Sequence, residues 1–175
     1  MIKVTAFLAT VVLLSSCDFK AEVKTSSNAA AVSTSASTSP KIKNGIDLKA
    51  NGLTVSQAFL IYEDGTLVGD DNTAKVGQKI KMRLVIDGGW EEVEGRVYPG
   101  ASEKIETNEG DVVLDEKDLF ASMETGVAAE DAKLITLSAV ITGLDKLHDY
   151  FLVTFKVWDK KGKSEVTGSY KLFIK

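Results

Sequence analysis

Between Gln78 and Asp87 the chain reads QKIKMRLVID, with Ile80, Met82, Leu84 and Ile86 alternating with Lys79, Lys81 and Arg83. Successive side chains of an extended strand point to opposite faces, so this alternation describes a strand with one face in a core and the other in water. A helix would stack residues three and four apart and mix the two sets. The same period places Leu53, Val55, Phe59 and Ile61 on one face, and likewise Ile135, Leu137, Ala139 and Ile141. Phe151, Val153, Phe155 and Val157 form a further set, and Val166, Tyr170, Leu172 and Ile174 the last. Weaker strands are expected at Gly95–Tyr98, Lys104–Thr107 and Asp111–Leu114.

Strands separated by Gly, Asp and Asn turns, each with a polar face, call for two antiparallel sheets packed face to face. One short helix is expected in DEKDLFASM, where Asp115 caps the segment and Leu119 with Met123 forms an apolar stripe. A chain of 175 residues, 44% of them hydrophobic, supports one such core. The net charge is −4 with no basic cluster, which argues against nucleic acid as a partner.

The first residues follow different rules. Lys3 precedes an apolar run from Val4 to Leu14, too short for the roughly 20 residues of a spanning helix but suited to an export signal. Leu14-Ser15-Ser16-Cys17 then resembles a bacterial lipobox, with a branched apolar residue, two small residues and the only cysteine of the chain. The resemblance implies that residues 1–16 are a lipoprotein signal peptide and that the Cys17 thiol receives diacylglycerol. Acyl chains on Cys17 would anchor the protein in a membrane outside the cytoplasm, in a bacterial cell envelope. Asp18, within CDFKAE, resembles an inner-membrane retention signal of enterobacterial lipoproteins and equally a surface-export signal of other lineages, so the membrane and leaflet stay open. From Thr25 to Ser39 the chain is TSSNAAAVSTSASTS, without charge. Such composition cannot offset chain entropy by burial, and residues 17–43 are expected to form a disordered tether to a domain at 44–175.

The last third carries a second resemblance. TGLDKLHDYFLVTFKVWDKKGKSEVTGSYKLFIK is similar to the tyrosine corner and following hairpin of fibronectin-III and bacterial immunoglobulin-like domains, Leu144 and Tyr150 having the L-x5-Y separation. Gly162 is expected to supply a left-handed turn residue in Asp159-Lys160-Lys161-Gly162. The phase differs from that family, because Phe151, Val153 and Phe155 outweigh Leu152 and Thr154 as the apolar set. The resemblance implies an all-β, antiparallel, immunoglobulin-like β-sandwich of about seven to nine strands with the one short helix.

Residues that could carry chemistry are sparse. His148 is the only histidine and lies between Asp145 and Asp149, read as turn and surface groups. Glu91, Glu92 and Glu94 are read as a charged turn. The loop EDGTLVGDDN offers Asp64, Asp70 and Asp71 as calcium ligand candidates but lacks the spacing of a dedicated calcium loop, and Asp64-Gly65 is a turn dipeptide. Trp90, after two glycines, and Tyr98 are the candidates for an exposed binding platform, although an aromatic plugging one end of the sandwich fits Trp90 as well. The leading reading is a non-enzymatic, lipid-anchored module that binds a protein or glycan or builds an envelope assembly, with no cofactor and no metal. The alternatives are a small envelope inhibitor or ligand carrier, which requires a protruding loop or an internal cavity, and a hydrolase, which requires converging carboxylates.

Overall fold

The computed structural model describes residues 40–143 and 146–175. Cys17, residues 18–39 of the expected tether, Leu144 and Asp145 lie outside the described residues. The rest folds as two sheets facing one another, with strands numbered in chain order. One sheet has the order β1 (Lys41–Ile42), β3 (Thr54–Tyr62), β5 (Lys79–Gly88), β10 (Leu134–Val140). The larger sheet runs β2 (Asp47–Asn51), β12 (Glu165–Ile174), β11 (Phe151–Asp159), β7 (Pro99–Thr107), β8 (Val112–Glu116), and β4 (Thr73–Ala74) joins the end of β12. A small ribbon pairs β6 (Arg96–Val97) with β9 (Val127–Ala128).

The alternation that defined β5 is realised in full, since Ile80, Met82, Leu84 and Ile86 are wholly buried and the residues between them are not. They meet Ile105, Phe151, Val153, Phe155, Val157, Val166, Tyr170 and Leu172 from the larger sheet in one continuous core. Burial of each such side chain is worth about 1.5–3 kcal/mol against its exposed state, which makes the intersheet layer the main source of stability. The architecture is an all-β sandwich, as the sequence pattern requires.

Several details differ from the sequence expectations. Twelve strands form among the described residues, because two-residue pairings and β2 escape pattern reading. Two of these pairings, β1 with β3 and β4 with β12, are parallel. Lys104–Thr107 is the end of a nine-residue central strand. In β3, irregular register at Thr54–Gln57 shifts the phase, so Ala58 and Leu60 face the core with Leu53 and Val55 while Phe59 is only half-buried. A bulge of this kind moves every later side chain to the other face.

The helix expected over Asp115–Met123 does not form. Asp115 and Glu116 continue β8 and pair with Lys104 and Glu103 of β7, which takes the residues a first helical turn would use. Asp118 then caps a turn, its Oδ1 accepting from the Phe120 amide at 2.9 Å, while the Leu119 amide donates to the Ala101 carbonyl at 2.6 Å. The apolar stripe still reaches the core, with Phe120 buried and Leu119 and Met123 packed against it. The only helical element described is the 3-10 turn Asp131–Lys133. Gly162 is not left-handed either; a Cβ there would lie 2.9 Å from Asp159 Oδ2, so it is a close approach that calls for glycine.

Candidate functional site

Two regions hold the functional candidates: the end of the sandwich around Trp90, and the outer face of the larger sheet. At the sandwich end β5 stops at Gly88, and Gly89 takes φ +97° where a Cβ would lie 2.1 Å from the Gly52 carbonyl oxygen. That turn folds Trp90 onto the rim of the core, half-buried, with its indole Nε1 shielded and without an acceptor among the described residues. The next amide, of Glu91, donates to Asp159 Oδ2 at 2.5 Å, and the Lys161 amide donates to Asp159 Oδ1 at 2.9 Å. Buried Asp159 therefore ties the Gly-Gly-Trp loop to the β11–β12 turn. Tyr98 is half-buried on the neighbouring crossing, with the Lys161 amine 4.8 Å from its ring centroid and its carbonyl accepting from the Lys160 amide at 2.8 Å. Trp90 and Tyr98 are thus each packed into the scaffold on one face.

The remaining candidates are separately engaged. Asp64 Oδ1 accepts from the Thr66 amide and hydroxyl at 2.9 and 2.7 Å, and these bonds, the hydroxyl's first, lower its pKa. The Asp71 carboxyl is likewise held below its ordinary value, chiefly by Thr73, and Lys175 stands 3.9 Å away. Asp70 is exposed. No cluster of three His, Cys, Asp or Glu with metal-ligand geometry exists among the described residues. The structural weight of this loop falls on Asn44 and Asn72, both buried with positive φ. Asn44 Nδ2 donates to the Val68 and Gly69 carbonyls, its Oδ1 accepts from the Leu60 amide, and Asn72 Nδ2 donates to the Asn44 and Lys171 carbonyls. His148 is half-buried with its ring edge-on to Phe151 at 5.3 Å, and Glu91, Glu92 and Glu94 are exposed, Glu94 with Gly95 forming a left-handed turn. Tyr150 lies against Phe173 and beneath the Lys171 amine, 4.0 Å from its ring.

The outer face of the larger sheet contains a shallow open groove of about 220 Å³, lined by Asp47 and Lys49 of β2, Leu152 and Thr154 of β11, and Thr167, Gly168 and Ser169 of β12. Strand register explains it. Asp47, Ser169, Thr154 and Lys104 form one cross-strand row, and Lys49, Thr167, Lys156 and Ser102 the next. Gly168 stands between the rows; a Cβ there would lie 2.4 Å from Phe155 Cζ and 2.5 Å from the Asp47 carbonyl oxygen. Glycine thus lets β2 and Phe155 close in beneath the groove. Further along β11 the same face carries Trp158, which lies across Gly100 of β7 in the space a Cβ would fill. Trp158 is off the apolar face, as its alternation with Phe155 and Val157 predicts. Short hydroxyl side chains flanked by an acid and an amine can exchange several hydrogen bonds with a polar ligand without deep burial. Nothing in the sequence singles this groove out, because adjacency of β2, β12 and β11 is invisible in a linear pattern.

Fold and groove together define a two-sheet β-sandwich with an open depression on its larger sheet. No protein-family profile and no curated protein matches the chain in sequence. Among solved structures it is similar to the C-terminal domain of wzt, with a TM-score of 0.46 and 11% identity, covering 78% of this chain and 81% of that chain.

Proposed function

We propose that the chain is a lipid-anchored, non-enzymatic binding module of the bacterial cell envelope that holds a glycan on the outer face of its larger sheet. The observation that carries this reading is the groove over Gly168, walled by Thr154, Thr167 and Ser169 and flanked by Asp47 and Lys49, with Trp158 on the same face. Protein interfaces are centred on buried aromatic and arginine anchors; this groove has neither among its lining residues, while its three hydroxyls, Asp47 and Lys49 can hydrogen-bond a hydroxylated ligand lying across Leu152. The membrane anchor belongs to the proposal through Leu14-Ser15-Ser16-Cys17, whose acylation would hold the module outside the cytoplasm. The immunoglobulin-like affiliation is part of the same reading and rests on the β-sandwich and the Leu144 to Tyr150 spacing.

The test is titration of the purified chain, carrying Cys17→Ser to avoid acylation, against a panel of envelope polysaccharides and peptidoglycan fragments. Binding is expected, and Thr154→Arg or Ser169→Arg, which fills the groove, should weaken it at least tenfold. Binding unaffected by both substitutions, or no binding to any glycan on the panel, overturns the reading.

A further inference from the structure

A sheet edge displays unpaired backbone N–H and C=O groups, and proteins normally guard such edges with charge, bulges or brevity. Among the described residues, three of the four strands that end the two main sheets follow that rule. β1 has two residues, one of them Lys41; β2 carries Asp47 and Lys49; β8 carries Asp115 and Glu116 and adjoins an irregular register at Ile105–Glu106. The fourth edge, β10, does not. Its sequence LITLSAV has seven residues with no charge, proline or glycine, in a chain that is 26% charged. It pairs with β5 without a register break, and among the described residues no strand lies on its other side.

The direction of its free groups follows from one bond. The Ile141 carbonyl accepts from the Gly77 amide, just ahead of β5, so odd-numbered residues of this strand direct their backbone groups toward β5. Leu134, Thr136, Ser138 and Val140 consequently present theirs at the open edge. A second copy of the same strand, antiparallel with its twofold axis at Leu137, sets Leu134 against Val140 and Thr136 against Ser138 in both directions. Each opposed pair exchanges two backbone hydrogen bonds, and every free group of the edge is used. The side chains match as well. On the outer face an apolar pair adjoins a hydroxyl pair; on the core face Leu137 meets Leu137 and Ile135 meets Ala139, so both cores run on across the junction. No charge opposes a like charge anywhere in the pairing.

We infer that the chain forms a twofold dimer with a second copy of itself through β10, joining the two smaller sheets into one continuous sheet. The experiment uses the full chain with Cys17→Ser, mass measured by light scattering and Leu134–Val140 followed by amide hydrogen exchange. The expected result is a dimer in which the amides of Thr136, Ser138 and Val140 exchange slowly. Ser138→Lys, on the outer face, should yield a folded monomer in which those amides exchange at least a hundredfold faster; Val112→Lys, on the β8 edge, should leave the dimer intact. Even if the lysine variant at Ser138 failed to fold, the unmodified strand decides the matter through its mass and exchange pattern. A monomer overturns the inference, whether its β10 amides are fast or are protected by residues 1–39 of the same chain, and so does a dimer indifferent to Ser138→Lys.

Discussion

Glu103 projects from β7 into the intersheet layer opposite Phe155, only 1% exposed, and neither carboxylate oxygen has a hydrogen-bond partner among the described residues. Burial raises its pKa from 4.5 to about 7, and the buried phenol of Tyr170 is pushed well above its ordinary value, first by its own burial and then by the Glu103 charge. The consequence for stability has a definite sign. Below about pH 4.5 the carboxyl is protonated in both states; between there and about 7 the unfolded chain releases the proton and the folded one keeps it. Stability is therefore fully present in acid and falls as pH rises through about 7, by about 3 kcal/mol in all. Denaturant melts of wild type and Glu103→Gln between pH 5 and pH 8 should show this decline only in the wild type. Equal slopes would mean that Glu103 is solvated or paired in solution. The inward position was readable in principle, because Glu103 shares phase with Ala101 and Ile105, but an acid on an apolar face is discounted by pattern reading. The roles of Asn44, Asn72 and Asp159 were not readable, since their partners come from Leu60, Val68, Lys171 and Glu91, distant in sequence.

At the scale of elements, the long strands announce themselves because each buries one alternating face, and β5, β10, β11 and β12 lie where that alternation puts them. β2, with the sequence DLKAN, buries almost nothing and exists because β12 offers it an edge. The missing helix teaches the same point, as the free edge of β7 outcompetes local helix signals at Asp115. Two substitutions separate packing from surface. Leu84→Ala, at a wholly buried site in the middle of β5, should cost about 2–5 kcal/mol through the cavity it leaves, whereas His148→Ala removes a half-buried ring against Phe151 and should cost no more than roughly 1 kcal/mol. Gly168→Ala tests the groove floor: a methyl group driven against Phe155 and the Asp47 carbonyl should destabilise by about 1–3 kcal/mol, and hydrogen exchange should show β2 loosening before the rest of the sheet. A neutral Gly168→Ala would mean that β2 is not held close to β12.

For the molecule as a whole, the proposed anchor and the β-sandwich make separable demands. Attachment to a membrane is proposed to rest on Cys17; the described residues contain no helix long and apolar enough to cross one. In the same proposal Ser15 and Ser16 ahead of the cysteine would supply the small side chains a lipoprotein signal peptidase accommodates, and the sequence turns polar immediately after Cys17. Two or three acyl chains hold a protein on a bilayer where one does not. Cells expressing the full chain and fed a labelled fatty acid should incorporate label into wild type and none into Cys17→Ala, whose precursor should remain uncut. Limited proteolysis of the labelled membranes should then cut between Thr25 and Pro40, where the sequence has neither charge nor bulk, and release a β-sandwich domain that no longer carries label. Its melting temperature should equal that of the unacylated chain, because among the described residues the first side chain packed on the core is Ile42, beyond the cut. Label retained by Cys17→Ala would remove the anchor from the reading, and a released fragment that melts earlier would mean that residues before the cut pack on the sandwich.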